Sequence, residues 1–296
     1  MTLEQDFIRT IQGLNPQVDL RHDTFWDEDT RQILTTDLLV EEVHFDWRYF
    51  TPYELGCRAM AANLSDIAAT GGIPKWALVD IAIPKDFKQE DLKQLYLGLS
   101  QSGVQIVGGD TSAAEKTFLA VTLIATLPEG ATPGRRTGAI AGGVVAISGP
   151  HGLSRAGLEA LRQDLPGFEQ ARRAHLCPTP PLALGQKIAR TLDRYAMMDS
   201  SDGLADAVLR LAQASQVDIV IEQARLEIHP DVQHLDWVLY GGEDFELVVC
   251  LPADRLSEFP ELTVIGKVQE GQGQAFLDGV PLSFEKTYQH FERLIL

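Results

Sequence analysis

Apolar side chains recur along this chain at two spacings, and the switches between them mark out alternating helices and strands. Leu3, Phe7, Ile8 and Ile11 fall three and four apart, which predicts an amino-terminal helix that Gly13 is placed to end. The run from Ile33 to Val40 reads as a strand. A long helix is predicted next, with Thr51 as N-cap, Pro52 at its first position and Gly71-Gly72 closing it. Met60, Leu64 and Ile67 form its apolar stripe, while Asn63 and Asp66 sit three residues apart on a flank, where both can face a cleft. Trp76 to Ile83 reads as a strand, Gln89 to Ser102 as a helix, Val104 to Val107 as a short strand and Phe118 to Leu127 as a long one.

The segment from Pro128 to Gly143 breaks this pattern. It is rich in Gly and Pro, carries Arg135-Arg136, and predicts a domain boundary that divides the chain into 1–140 and 141–296. The second part again mixes both periods: a strand at Val144 to Ser148, helices at Ser154 to Gln163 and Leu182 to Leu192, then strands at Ala196 to Met198, Ile219 to Ile221, Phe245 to Leu251 and Thr263 to Ile265. The fold class expected is α/β.

Composition narrows the function. A chain of 296 residues with 45% apolar content holds two α/β domains of ordinary size or one large one, and is not disordered. Acidic side chains outnumber basic ones 42 to 25, for a formal charge of -17. No Lys/Arg-rich run tracks a nucleic-acid backbone, so nucleic acid is not an expected partner. Cys57, Cys177 and Cys250 are far apart and form neither a disulfide scaffold nor a zinc motif. The chain starts without a basic, then apolar, leader, and no stretch is long enough to cross a bilayer, so no membrane is expected and cytoplasmic residence is the default.

Aspartates carry the candidate chemistry. Asp23, Asp37 in Thr35-Thr36-Asp37, Asp66 in Asn63-Leu64-Ser65-Asp66, Asp110 in Gly108-Gly109-Asp110-Thr111, and Asp199 with Asp202 in Asp199-Ser200-Ser201-Asp202-Gly203 read as a magnesium and polyphosphate site. Converging carboxylates repel unless cations lie between them, and hard oxygen ligands select Mg or Ca over Zn or Cu. Asp110 follows a strand end, where ligand sites of α/β sheets gather, and its two glycines let the backbone approach a ligand. Asp66, near a helix C-terminus, is badly placed for the helix dipole, which favours a functional role. No P-loop and no Gly-x-Gly-x-x-Gly turn is present, so bound ATP has to be held through metal-bound carboxylates, Gly-rich backbone and a few cations such as Arg135 or Arg136.

Five segments taken in order resemble the thiamine-monophosphate kinases. They are Thr35-Thr36-Asp37-Leu38-Leu39-Val40-Glu41-Glu42-Val43-His44-Phe45, Ala62-Asn63-Leu64-Ser65-Asp66-Ile67-Ala68-Ala69, Gly108-Gly109-Asp110-Thr111, Asp199-Ser200-Ser201-Asp202-Gly203-Leu204 and Gly241-Gly242-Glu243-Asp244-Phe245-Glu246-Leu247. The resemblance runs nearly end to end, and the stretch from Thr35 to Phe45 separates this family from its relatives, the aminoimidazole ribonucleotide synthetases, selenophosphate synthetases and hydrogenase-maturation proteins.

The resemblance implies two α/β domains of the aminoimidazole ribonucleotide synthetase-like type, amino-terminal sheets that pair across a homodimer, and a reaction that makes thiamine diphosphate and ADP from thiamine monophosphate and ATP. Carried over by motif, Asp23, Thr35, Thr36, Asp37, Asp66, Asp110, Asp199 and Asp202 hold Mg2+ ions; Gly109, Asp110, Arg136 and Ser201 contact ATP; and His44, Glu243 and Tyr288, the last in Tyr288-Gln289-His290-Phe291, contact thiamine monophosphate. One segment departs most from the pattern, with lesser changes at Leu153, where the family commonly has Asp, and at Pro181, where an Arg is usual. Where the family usually carries Gly-x-Gly-Asp-Asp-Ala-Ala, this chain reads Asp19-Leu20-Arg21-His22-Asp23-Thr24-Phe25 and keeps one of two paired acids. The alternative implied is a family member that binds nucleotide or thiamine phosphates without efficient turnover, or another ATP-dependent enzyme of the superfamily.

Overall fold

The computed structural model describes residues 3–16 and 18–288. The first sheet draws on β1 (Phe25–Asp27), β2 (Gln32–Val40), β3 (Ile73–Ile83), β4 (Gln105–Gly108), β5 (Thr111–Ala113) and β6 (Phe118–Thr126), in the order β1-β2-β6-β3-β4 with β5 also paired to β3. Along with them run α1 (Leu3–Leu14), α2 (Pro52–Thr70) and α3 (Gln89–Ser100). The second sheet contains β7 (Val144–Ile147), β8 (Ala196–Asp199), β9 (Val217–Ile221), β10 (Leu247–Leu251), β11 (Thr263–Glu270), β12 (Ala275–Leu277) and β13 (Val280–Pro281), ordered β13-β12-β9-β11-β7-β10-β8. Its helices are α4 (Leu153–Arg162), α5 (Glu169–Leu176), α6 (Leu182–Thr191), α7 (Leu204–Ser215) and α8 (Leu235–Tyr240).

The two sheets are buried differently. In the second, neighbouring residues of one strand enter different cores: Val248 and Cys250 pack with α7 and α8, whereas Leu247, Val249 and Leu251 pack with α6. A strand covered on both faces has no polar side, which is why Leu247–Leu251 reads as a continuous apolar run. The first sheet is covered on one face only. Val79, Val121 and Leu123 meet Leu55, Ala59 and Leu95 on that face, while Leu38, Trp76, Leu78 and Phe118 stay exposed on the other. Among the described residues no helix is long and apolar enough to cross a membrane.

Helix α2 lies between the two sheets, touching β2 and α3 on one side and α6 and β8 on the other. Its ends are fixed by sequence. Thr51 caps the start through a capping box with Glu54, and Pro52 takes the first turn, where a missing N–H costs nothing. At the far end Gly71 adopts φ 82°, a left-handed conformation that favours glycine, and donates to the Ala68 carbonyl while Gly72 donates to that of Ile67.

Most expected elements form with ends moved by a residue or two. Three departures have physical causes. Phe245 does not start β10: it sits at φ 54°, buried, in the bend that precedes the strand. Helix α7 adds to the expected elements: Leu204, Ala207, Val208 and Leu211 recur at helical spacing, and packing on the second sheet buries most of the helix. Helix α1 forms and runs to Leu14, past Gly13, yet Phe7 and Ile11 of its stripe remain about half exposed.

Candidate active site

Four of the expected acids converge where α2 meets the middle of β2 and the end of β8. The side chains of β2 alternate, so Thr35 and Asp37 face α2 while Thr36 faces away. Asp66 arrives from the last turns of α2, Asp199 from the end of β8 and Asp23 from the segment before β1. Carboxylate oxygens of Asp23, Asp66 and Asp199 lie within 4.8 Å of one another. Thr35 Oγ1 donates to Asp66. Ser65 Oγ donates to Asp199 Oδ2 at 2.6 Å, tying α2 to the second sheet.

The electrostatics follow from that crowding. Burial, then repulsion from Asp23, pushes the Asp37 carboxyl up to about 6. Burial, then Asp23 again, pushes Asp199 up to about 8 against the downward pull of the Ser65 hydroxyl. Asp66 is raised well above the usual carboxylate range by burial first and then by Asp199, Asp37 and Asp23. Arg136, from the segment between the sheets, is ion-paired with Asp23 and donates to it from Nε at 3.1 Å. Four carboxyls face one guanidinium, so three of them hold their protons beyond the usual range, and an all-oxygen donor set of this kind fits Mg2+.

Other expected residues lie apart from the cluster. The Thr36 hydroxyl, on the opposite face of the sheet, donates to the Val121 carbonyl at 3.2 Å and accepts from Thr122, so its side chain does not join the acids. Asp110 also lies away from them, exposed at the β4–β5 edge, with its N–H donated to Asp80 Oδ1 at 2.7 Å. Gly109 beside it has φ 143°, and a Cβ there would meet the Val79 carbonyl oxygen at 1.8 Å, so only glycine fits this crossing. Asp202 follows Asp199 by three residues in the loop before α7, close enough to Arg210 to act on its charge. Ser201, exposed, accepts the Glu243 N–H at its carbonyl. Tyr288 is exposed and does not line the cavity described next, and Gln289, His290 and Phe291 lie outside the described residues. His22 adjoins Asp23 in the chain but turns to other partners: its Nδ1 accepts the Arg136 N–H at 3.4 Å and its Nε2 faces Asp19 at 3.5 Å.

A second feature is an open cavity that His44 and Glu243 line together, with Tyr49, Arg162 and His175. His44 Nδ1 accepts the Val40 N–H at 3.0 Å, which leaves the proton of a neutral ring on Nε2. Glu243 sits at φ 60° and is ion-paired with Arg58, whose side chain is 2% exposed. Burial works to raise the Glu243 carboxyl, but the opposing pull, with the Arg58 guanidinium foremost, outweighs it and holds it below the usual range. The other acids of Glu243-Asp244-Phe245-Glu246 are structural. Asp244 accepts the N–H groups of Gly152 and Ser154 at the start of α4, and Glu246 accepts from Ser148.

Sequence reasoning did not single out Ser65, Tyr49, Arg58, Arg162 or His175. Ser65 was legible as the neighbour of Asp66. The others come together only through packing of the two halves.

Residues 21–127 match the family model described as AIR synthase related protein, N-terminal domain. The thiamine-monophosphate kinase of Synechococcus elongatus is 38% identical, over 88% of this chain and 86% of its own length. The chain belongs to the thiamine-monophosphate kinase family. A solved structure of this kinase family, AaThiL complexed with AMPPCP and TMP, superposes with a TM-score of 0.88 at 32% identity, covering 98% of this chain and 99% of the other. The thiamine monophosphate kinase of Aquifex aeolicus superposes with a TM-score of 0.84 at 31% identity, over 95% of this chain and 99% of its own. The two-sheet α/β fold is thus that of the thiamine-monophosphate kinases.

Proposed function

We propose that this chain transfers the terminal phosphoryl group of ATP to the phosphate of thiamine monophosphate, giving thiamine diphosphate and ADP. The carrying observation is the convergence of Asp23, Asp37, Asp66 and Asp199 at one end of α2, with a cavity lined by His44 and Glu243 beside Arg58 toward its other end. Family membership and the superposition on AaThiL complexed with AMPPCP and TMP support the same reading.

The acceptor is itself a phosphate whose second pKa is about 6, already mostly ionised at neutral pH, so no general base is required. The difficulty is bringing two polyanions together. Bound Mg2+ supplies charge neutralisation between the phosphates and stabilises charge on the transferred group. Asp23, Asp37, Asp66 and Asp199, with Thr35, would hold the ions, and Asp202 stands close behind. Arg136 is then free to leave Asp23 for an ATP phosphate, alongside Ser201. His44 and Glu243 would take the heterocyclic part of thiamine monophosphate, joined by Tyr288.

Asp110 and Gly109 fit this reading through a second copy. They occupy the edge of the half-covered first sheet, whose outer face presents Leu38 at 52%, Trp76 at 43% and Val107 at 50% exposure. Pairing two such faces buries that apolar surface and brings the β4–β5 edge of one protomer toward the β1–β2 edge of the other, supplying Asp110 across a homodimer. The reading divides the chain into 1–140, bearing this face, and 141–296, and puts the enzyme in the cytoplasm with its ATP.

A second reading, binding without efficient turnover, is favoured by the Arg21-His22-Asp23 segment, where His22 stands in place of an acid. An ADP-release assay separates them, with thiamine monophosphate, the aminoimidazole ribonucleotide precursor and selenide offered separately. Release with thiamine monophosphate alone is expected. No release with any of the three, under conditions where thiamine monophosphate binds, selects the second reading.

A further inference from the structure

Arg58 is the largest fully buried side chain of the described residues, and its charge is spent on the opposite half of the molecule. It rises from α2 between the rings of Phe50 and Phe245, with its guanidinium carbon 5.8 and 6.0 Å from their centroids. One nitrogen donates to the His175 carbonyl and another is ion-paired with Glu243. Burying a guanidinium is costly unless it is paired and hydrogen-bonded, and few positions in a protein accept it for packing alone. Arg58 does not line the cavity, whereas Glu243 and His175 both do.

Glu243 is held from three sides. Its backbone takes a left-handed φ of 60°, its N–H is donated to the Ser201 carbonyl, and its carboxylate stands between Arg58 and the His175 ring, with Oε2 3.9 Å from Nδ1. His175 is itself fixed, through Ser154 Oγ at 3.1 Å from the same nitrogen and by the rings of Tyr49 and Phe50. Its burial, and then the Arg58 charge, hold that imidazole down at about 3, so it stays neutral and Arg58 is the cation that faces Glu243 from α2. About a third of the Glu243 side chain remains open to the cavity. A carboxylate so presented is an acceptor for N–H groups and a counter-charge for a cationic ring.

We infer that Arg58 is a positioning residue: through a buried ion pair it fixes Glu243 as the acceptor that binds the nitrogen-rich, cationic heterocycle of the substrate. The inference rests on the proposed thiamine monophosphate site and adds a residue that does not touch the substrate. It also makes that site depend on docking of the two halves, because α2 supplies the cation and the second half supplies the acid.

Steady-state kinetics of Arg58→Met, Arg58→Lys, Glu243→Gln and the Arg58→Met/Glu243→Gln double variant test it, with ATP and thiamine monophosphate varied independently. Arg58→Met is expected to raise the KM for thiamine monophosphate about tenfold, with kcat and the KM for ATP within threefold of wild type. Arg58→Lys should fall between, since a point charge replaces a fork that serves two partners. The double variant should match Glu243→Gln alone within twofold, because Arg58 acts only through that acid. A purely structural Arg58 would lower the active fraction, and so kcat, with both KM values unchanged, and that pattern overturns the inference. Additive effects in the double variant overturn it as well. If Arg58→Met does not fold, Arg58→Lys decides: a threefold or larger rise in the KM for thiamine monophosphate supports the inference, and a wild-type value overturns it. If Glu243→Gln leaves that KM unchanged, the substrate site itself is misassigned, whereas an effect of Glu243→Gln without one of Arg58→Met removes only the positioning role.

Discussion

Removing one charge from the aspartate cluster should stabilise the metal-free protein while it removes metal binding. Asp37 is the cleanest position, because burial first and Asp23 second move its carboxyl from 3.8 to about 6. The folded state therefore keeps this proton longer than the unfolded chain, and stability falls as pH rises from about 4 through 6, then stays level. At about 1.4 kcal/mol per pH unit, the ionised group costs the folded state about 3 kcal/mol at pH 7.5 and about 1 kcal/mol at pH 4.5. Asp37→Asn removes that cost and nearly keeps the shape. In EDTA at pH 7.5 the variant should melt higher than wild type, by on the order of 5 °C, with the advantage shrinking at pH 4.5. Saturating Mg2+ should close most of this gap, since wild type gains about 2.7 kcal/mol at a hundredfold excess over Kd and the variant gains less. Thermal unfolding in EDTA and in Mg2+ at the two pH values reads all of this. A variant no more stable than wild type in EDTA at pH 7.5, or equally advantaged at both pH values, would show that Asp37 carries no buried repulsion.

Three further outcomes are expected. His44→Ala should raise the thiamine monophosphate requirement without moving the Mg2+ dependence; a shift in Mg2+ dependence alone would reassign His44 to the metal site. Asp37→Asn and Asp110→Asn should each lose most turnover, yet mixing the two inactive proteins under subunit exchange should restore activity, because one site of the mixed dimer then holds both wild-type acids; a mixture as inactive as its parts refutes delivery of Asp110 by a second copy. His22→Asp adds an acid next to Asp23 and should lower the Mg2+ concentration for half-maximal rate, a result that superimposable titrations would exclude.

What the sequence shows of this site depends on the distance over which each constraint acts. Capping is local, so Thr51, Pro52 and Gly71 give away both ends of α2 from a few residues each. Strand alternation is local too, and it separates Thr35 and Asp37 from Thr36, a distinction that a motif of three adjacent residues hides. The motif Gly241-Gly242-Glu243-Asp244-Phe245-Glu246-Leu247 shows the opposite case. Nothing in its spelling tells that Glu243 faces a cavity while Asp244 caps α4 and Glu246 holds Ser148, because those fates depend on elements roughly a hundred residues earlier. Arg58 is harder still: within α2 it looks like a solvated cation interrupting an apolar helix, and only the second half of the chain supplies the partners that let it be buried.

The placement of α2 is what joins the two halves of the chemistry. Arg58 and Ser65 are seven residues apart, close to two turns, so they lie on nearly the same face of the helix, and Asp66 follows on the flank. Along the axis Arg58 and Asp66 are separated by about 12 Å, at 1.5 Å per residue. One end of that span meets Glu243 and the cavity, and the other meets Asp199 and the acid cluster. In the proposed reaction the heterocycle of thiamine monophosphate would lie at the Arg58 end of this span and its phosphate at the Asp66 end. On that proposal the helix would set the distance between the two groups, and burial on nearly every side holds it in place. A register change in α2 would separate heterocycle binding from phosphoryl transfer while leaving each group of side chains chemically intact.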